Sequence, residues 1–294
     1  MPPVVDINRL SKKYGAKVAL RDLTLAIDHQ RMVGLIGQNG SGKTTLLDLI
    51  SGMALPSSGT CRTLGEESAQ LDEATLARIG VVYQENRFLE WMRVDQHLRY
   101  FGSFYQNWDR ARENSLLRDL ELDPTAKVGH LSGGDIQKLG IITAVCHHPR
   151  LLLLDEPLSS LDPIARQSIL KFILRLLDED EVTIIVSSHA LMDVERLVDW
   201  VVCLNAGDLH ANASLEDLQE RFAEWDVTAL DRALPERFSE TFVLEQTCTA
   251  RQGRLVVDMA DESLAAFRHN HQVGVTVNRL NLEKIYPLLL KTKR

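Results

Sequence analysis

The sequence predicts an α/β fold with a mostly parallel core sheet, an N-terminal antiparallel β part, a helical subdomain and a small α+β C-terminal domain. Three observations carry this. Arg31–Ile36, Leu151–Leu154, Val182–Ser187 and Val198–Leu204 are apolar runs of strand length without polar alternation, so each reads as a strand buried on both faces. Helical patterns lie between them, Thr44–Ser51, Ile136–Cys146 and Pro163–Leu177 among them, which is the alternation of a parallel sheet flanked by helices. A glycine-rich segment, Gly37–Gly42, joins the first of these strands directly to a helix.

Taken in order, Val4–Leu10 alternates loosely and Leu23–Ile27 alternates clearly at period two, as half-buried strands do. The helix Thr44–Ser51 stops at Gly52. From about Asp72 to Asp123 the pattern is mostly helical, interrupted by a strand at Ile79–Tyr83. Pro163 suits the first turn of its helix, where a missing N–H costs nothing. The turn Asn205-Ala206-Gly207-Asp208 closes the last buried strand. A boundary is placed near residue 212, giving domains 1–212, with a helical subdomain at about 85–147, and 213–294. The second domain reads as helix Leu215–Phe222, β-like runs Thr241–Leu244 and Leu255–Asp258, helix Glu262–His269, strand Val273–Val277 and helix Leu282–Leu290. The basic end, Lys291, Lys293 and Arg294, reads as a solvated tail, with a place near anionic lipid as the alternative.

The 294 residues suit two domains, and 45% hydrophobic with 25% charged residues supply a sizeable core and exclude a disordered chain. The formal net charge is −8, and aromatics make up 6%, so neither clustered cations nor stacking platforms support a general nucleic-acid binder. No apolar window reaches the ~18 residues that a membrane span needs. The start, MPPVVDINRL, lacks the basic and apolar regions of a secretory signal. Cys61, Cys146, Cys203 and Cys248 are widely spaced with no CxxC pair, which fits reduced thiols in a cytosolic protein.

Gly37-Gln38-Asn39-Gly40-Ser41-Gly42-Lys43-Thr44-Thr45 matches the G-x-x-x-x-G-K-[ST] phosphate loop. Glycines let the backbone turn its N–H groups inward as an anion cradle, and the following helix adds its positive end. Lys43 is placed to reach β- and γ-phosphate oxygens, and the Thr44 hydroxyl to ligate Mg²⁺, a hard cation that prefers oxygen. The strand before and the helix after are the context that this motif needs.

Asp155 and Glu156 end the strand Leu151–Leu154, at the sheet edge where open α/β sheets bind ligands. Asp155 suits a Mg²⁺ ligand. Glu156 suits a base that orients or deprotonates an attacking water. Taken alone, Asp-Glu-Pro also suits a solvated turn. His189 ends its strand in the same way, either as a structural hydrogen-bonder or facing the γ-phosphate. Ser132, with Asp135 three residues on, resembles a capping box, while Ser132-Gly133-Gly134 at a helix start also suits a second anion site.

The set resembles the ATP-binding subunit of an ABC transporter. The motifs stand in that family's order over residues ~1–210: the Walker A loop Gly37–Thr45, Gln84 after a strand, the signature Leu131-Ser132-Gly133-Gly134, the Walker B stretch Leu151–Glu156, the loop Ser159-Ser160-Leu161-Asp162 and the switch histidine His189. Tyr14 matches the aromatic that stacks on adenine. The closing Leu282-Glu283-Lys284-Ile285-Tyr286 is similar to the C-terminal extension of ABC-2-type, exporter-like ATPases.

The resemblance implies a P-loop NTPase that uses ATP and Mg²⁺. Glu156, His189 and Gln84 would be catalytic, and Thr44, Gln84 and Asp155 would lie around the metal. Ser132, Gly133 and Gly134 would close on the ATP of an opposite subunit, with Asp162 at the interface between the two. It implies a second copy of the chain or a homologous ATPase subunit, and a separate transmembrane permease that meets the segment around Arg93–Tyr105. That places the chain in the cytoplasm, peripheral on the cytoplasmic face of the cell membrane, with no nucleic acid expected. The alternative is a non-transport ABC ATPase acting as a nucleotide-switched interaction or regulatory module. The chain departs from the family pattern at Asp135, where Gln is usual, and at Ser160, where Gly is common. A carboxylate there either weakens that half of the ATP site or points away as a helix cap.

Overall fold

The computed structural model describes residues 2–159, 161–179, 181–258 and 263–291. Of the residues singled out above, Ser160, Glu262, Lys293 and Arg294 lie outside these ranges. The chain divides into two compact units, Met1–Asn212 and Ala213–Arg294.

In the first unit, β1 (Val5–Tyr14) and β2 (Lys17–Ile27) form an antiparallel hairpin with Tyr14 opposite Lys17. After β3 (Met32–Ile36) and α1 (Lys43–Ile50) come β4 (Ser58–Thr63), β5 (Glu66–Glu67), α2 (Glu73–Leu76) and β6 (Ile79–Val82). The hairpin joins β4 and β5 in an antiparallel sheet of order β2-β1-β4-β5. Next are α3 (Val94–Gly102), α4 (Arg110–Asp119), α5 (Gly133–Val145), β7 (Leu151–Asp155), α6 (Pro163–Glu179) and β8 (Thr183–Ser188). The unit closes with α7 (Leu191–Glu195), β9 (Trp200–Asn205) and β10 (Asp208–Ser214).

The second sheet has the order β10-β9-β3-β8-β7-β6, and β9, β3, β8, β7 and β6 pair in parallel. All residues of β3, β7 and β8 are buried, as continuous apolar runs covered on both faces require. Leu35, Leu46, Leu49, Leu151 and Leu153 pack with Ile7, Leu10 and Leu23 of the antiparallel sheet in one core. Each such leucine stabilises the unit by about 1.5–3 kcal/mol.

Three differences from the sequence reading stand out. The stretch Asp72–Asp123 is less helical than its composition suggests, because the chain from Tyr83 to Arg93 runs between β6 and α3 without a helix. The polar strands β4 and β10 carry no apolar alternation to mark them; every residue of β10 is only half buried. Phe222, read as the end of a helix, opens a strand instead.

That strand, β11 (Phe222–Ala229), follows α8 (Leu215–Arg221) and occupies an interior place in the second unit's sheet. The others are β12 (Val243–Cys248), β13 (Gln252–Asp258) and, after α9 (Ser263–His271), β14 (Val273–Arg279), in the antiparallel order β12-β13-β11-β14. α10 (Leu282–Lys291) ends the described chain. Trp225 is fully buried between Phe242 and Phe267, with ring centroids at 5.7 and 5.2 Å. Lys291 is held by Glu245 at 2.6 Å. All four cysteines are free thiols, and burial pushes Cys146 and Cys203 up to about 12.

Candidate functional site

The order β3-β8-β7 brings three distant segments to one edge of the parallel sheet. The loop after β3 holds Gly37–Gly42, the end of β7 holds Asp155 and Glu156, and the end of β8 holds Ser187 and His189. Register does the alignment: Ser187 pairs with Leu35 on one side and Asp155 on the other.

Two glycines make the loop possible. Gly37 has φ +156, and a Cβ there would lie 2.3 Å from the Leu204 carbonyl oxygen. Gly42 has φ +110, a left-handed conformation, and its Cβ would strike the Leu20 side chain at 2.5 Å and the Ala19 carbonyl at 2.8 Å. Lys43 and Thr44 therefore start α1 facing the loop. The buried Lys43 ammonium donates to the Gly37 carbonyl at 2.9 Å and lies 3.6 Å from Glu156 Oε1.

Thr44 Oγ1 donates to Asp155 Oδ2 at 2.7 Å, and Ser187 Oγ donates to Asp155 Oδ1. Ser187 Oγ also accepts the Glu156 backbone N–H at 2.9 Å. Glu156 has φ +49, a left-handed conformation uncommon for a residue with a side chain. Its Oε2 meets His189 Nδ1 at 2.8 Å, whereas its buried Oε1 has no hydrogen-bond partner. A carboxylate held on one oxygen with an acceptor left on the other can take a proton from water. Burial first, then the charge of Asp155, pushes the neighbouring Asp48 carboxyl above its usual range.

Lys43, Thr44, Asp155 and Glu156 line a cleft of about 310 Å³ whose wall is completed by Tyr14, Lys17, Ala19, Asn39, Gly40, Gly42, Thr45 and Gln84. Tyr14 sits at the end of β1, half exposed, with the Lys12 ammonium 4.7 Å from its ring centroid. Gln84 lies two residues past the end of β6. Its segment is pinned by Asn86, which donates to the Tyr83 carbonyl at 3.0 Å and to Gln137 Oε1 of α5 at 2.9 Å.

Gly37, Gln38, Ser41 and His189 are not part of the cleft wall; the Gln38 carbonyl lies 3.4 Å from the Lys43 ammonium, and Ser41 Oγ is buried without a hydrogen-bond partner. Ser132, Gly133, Gly134 and Asp162 are not part of the cleft wall. Ser132 caps α5, and Asp162 caps α6 by accepting the Ala165 and Ile164 N–H groups at 3.0 and 2.9 Å. Lys17, Ala19 and Ser187 are site residues that the sequence reading missed. Lys17 and Ala19 follow from their place beside Tyr14 in a hairpin, and Ser187 from its register.

Among the described residues, no group of three or more His, Cys, Asp or Glu could hold a metal on its own. Thr44 and Asp155 instead offer hard oxygens 2.7 Å apart beside Gln84. That donor set fits Mg²⁺, which is usually bound through one or two protein oxygens together with phosphate and water.

A family profile described as ABC transporter matches residues 20–159. The chain is 36% identical to the Nod factor export ATP-binding protein I of Rhizobium johnstonii, over 70% of this chain and 68% of that protein. It is 26% identical to the bacitracin transport ATP-binding protein BcrA of Enterococcus faecalis, over 96% of this chain and 92% of that protein. Among solved structures, a dimeric ATP-binding cassette in a post-hydrolysis state, bound to ADP and Pi, superposes with a TM-score of 0.65 at 25% identity, covering 72% of this chain and 98% of that one.

Proposed function

This chain belongs to the family of ABC transporter ATP-binding proteins, and from that premise we propose that it is the ATP-hydrolysing subunit that powers a separate membrane permease. The observation that carries the reading is the meeting of Lys43, Thr44, Asp155 and Glu156 in one cleft, with His189 on Glu156.

In this reading ATP enters with its triphosphate on the loop Gly37–Gly42, whose backbone N–H groups and Lys43 neutralise the phosphates. Tyr14 stacks on the base. Thr44, Asp155 and Gln84 would hold Mg²⁺, which would offset charge on the phosphate oxygens. Glu156 accepts the proton of the attacking water on Oε1 while His189 fixes Oε2. Gln84, pinned through Asn86 to α5, orients the same water.

Two chains, identical or homologous, close on ATP, each offering Ser132-Gly133-Gly134 to the nucleotide of the other, with Asp162 at their interface. Hydrolysis removes the charge that joins them. Among the described residues no helix is long and apolar enough to cross a membrane, and in this reading the permease is a separate chain. The exposed Trp91, Tyr100 and Phe104 supply an aromatic surface suited to its cytoplasmic helices. The complex then sits on the cytoplasmic face of the membrane.

The experiment is affinity purification from membranes in mild detergent, with ATPase assay of the eluate. A co-purifying polytopic membrane protein that alters turnover is the expected result. Activity with no membrane partner under any condition would favour the non-transport alternative.

A further inference from the structure

The signature segment of this chain engages its own side chains. Ser132 Oγ donates to Asp135 Oδ2 at 2.8 Å and accepts the Asp135 backbone N–H at 3.1 Å. Lys138, one turn on, donates to Asp135 Oδ1 at 2.9 Å. A serine hydroxyl has one proton, and here it points at a carboxylate. To donate to a phosphate, Ser132 must first give up a bond to an ionised acceptor, a class about twice as strong as a neutral hydrogen bond.

Asp135 also lies in the first turn of α5, so its negative charge already sits on the positive helix end that a phosphate would use. Burial works to raise the Asp135 carboxyl, but the hydrogen bonds from Lys138 and Ser132 outweigh it and hold the group below the usual carboxylate range. Lys138 is the compensating cation. Its side chain is 14% exposed, against 32% for Asp135.

We propose that Asp135 and Lys138 form a latch on the signature: Asp135 holds the Ser132 hydroxyl and the α5 terminus against the partner's triphosphate, and Lys138 sets how strongly. This rests on the reading above that ATP is shared between two chains. Both are positioning residues acting through Ser132. A latched signature raises the ATP concentration at which two chains join, with no effect on the phosphate loop of its own chain.

The test is ATP-driven dimerisation of the full-length chain in a Glu156→Gln background with Mg²⁺, followed by light scattering. Binding of a fluorescent ATP analogue to the monomer at low protein concentration is followed alongside. Asp135→Asn keeps the shape and removes the charge, and should lower the ATP concentration for half-dimerisation by about tenfold, the equivalent of ~1.4 kcal/mol. Lys138→Met leaves Asp135 uncompensated and should raise it by a similar factor. The double variant should behave like Asp135→Asn alone, because Lys138 acts only through the carboxylate. Monomer affinity should stay level throughout.

A plain helix cap predicts a lower melting temperature for Asp135→Asn with an unchanged or higher ATP requirement, and that result overturns the latch. So does additivity of the two substitutions. If the parent dimerises and Asp135→Asn does no better, the latch alone fails. If monomers bind the analogue yet no variant joins at any ATP concentration, the shared-ATP reading fails and the latch with it.

Discussion

Ser187 donates its hydroxyl proton to Asp155 across 2.5 Å, from one buried strand to the next. The same oxygen accepts the N–H of Glu156. One side chain of β8 thus fixes two consecutive residues of β7. Ser187→Ala leaves a buried carboxylate oxygen and a buried N–H without that partner, a cost of about 1–3 kcal/mol each. The expected outcome is a lower melting temperature, an ATPase rate down about tenfold and a higher Mg²⁺ concentration for half-maximal turnover. A Mg²⁺ titration checks it; an unchanged midpoint would leave Ser187 a purely structural role.

Glu156→Gln retains the hydrogen-bonding shape beside His189 but cannot accept a proton. Hydrolysis should fall by about 10²–10⁴-fold while ATP binding persists. His189→Ala frees Glu156 Oε2 and should cost less, about 10-fold to 100-fold, with the double variant no worse than Glu156→Gln. Single-turnover phosphate release measures both. Undiminished hydrolysis in Glu156→Gln would remove the assigned role.

His97 is fully buried between Phe88 and Phe101, with ring centroids at 4.5 and 4.4 Å, and burial pushes its pKa down from 6.5 to about 4. The unfolded chain therefore binds a proton below about pH 6.5 that the folded chain refuses until about pH 4. Stability is complete above that window and falls as pH drops through it, by up to ~1.4 kcal/mol per pH unit for each such group. His147, buried and lowered to about 4, adds a second. His97→Gln should lose less melting temperature between pH 7.5 and 5 than the parent, measured by calorimetry. Equal losses would show that His97 is not one of the acid-labile groups.

Trp225→Ala removes the centre of the second unit's core, where Phe238, Phe242 and Phe267 converge. A loss of about 3–5 kcal/mol is expected. If each unit carries its own core, the transition of residues 213–294 should fall while ATP continues to raise the melting temperature of residues 1–212. Limited proteolysis with and without ATP separates the two. Loss of nucleotide protection along with the second unit would show that the units stand or fall together.

What could be read in advance was what is local. The loop Gly37–Thr45 carries its own geometry in adjacent residues, and Leu151–Leu154 announces a buried strand ended by carboxylates. Ser187 was hidden because its importance comes from register: only pairing with β7 sets it against Asp155. β11 was hidden for a different reason. Its buried residues Ala223, Trp225 and Val227 alternate with Glu224 and Asp226, but no glycine or proline separates them from α8. The helical pattern of α8 therefore runs on unbroken in the sequence through Phe222. Lys138 carries no such signal, because a lysine on a helix is ordinarily a solvated charge, and only the Asp135 contact marks it.

The matched pairing of β3, β8 and β7 has a consequence for how this chain can change over time. Side chains of a strand alternate between its two faces, so losing or gaining one residue within Leu151–Leu154 would turn Asp155 to the opposite side of the sheet. Substitutions of one aliphatic for another in that stretch are tolerable; changes in length are not. Segments such as 230–233, exposed and outside any strand, are free to lengthen. Descendants of this chain should diverge by insertion there, while counting the same number of residues from Leu151 to Glu156.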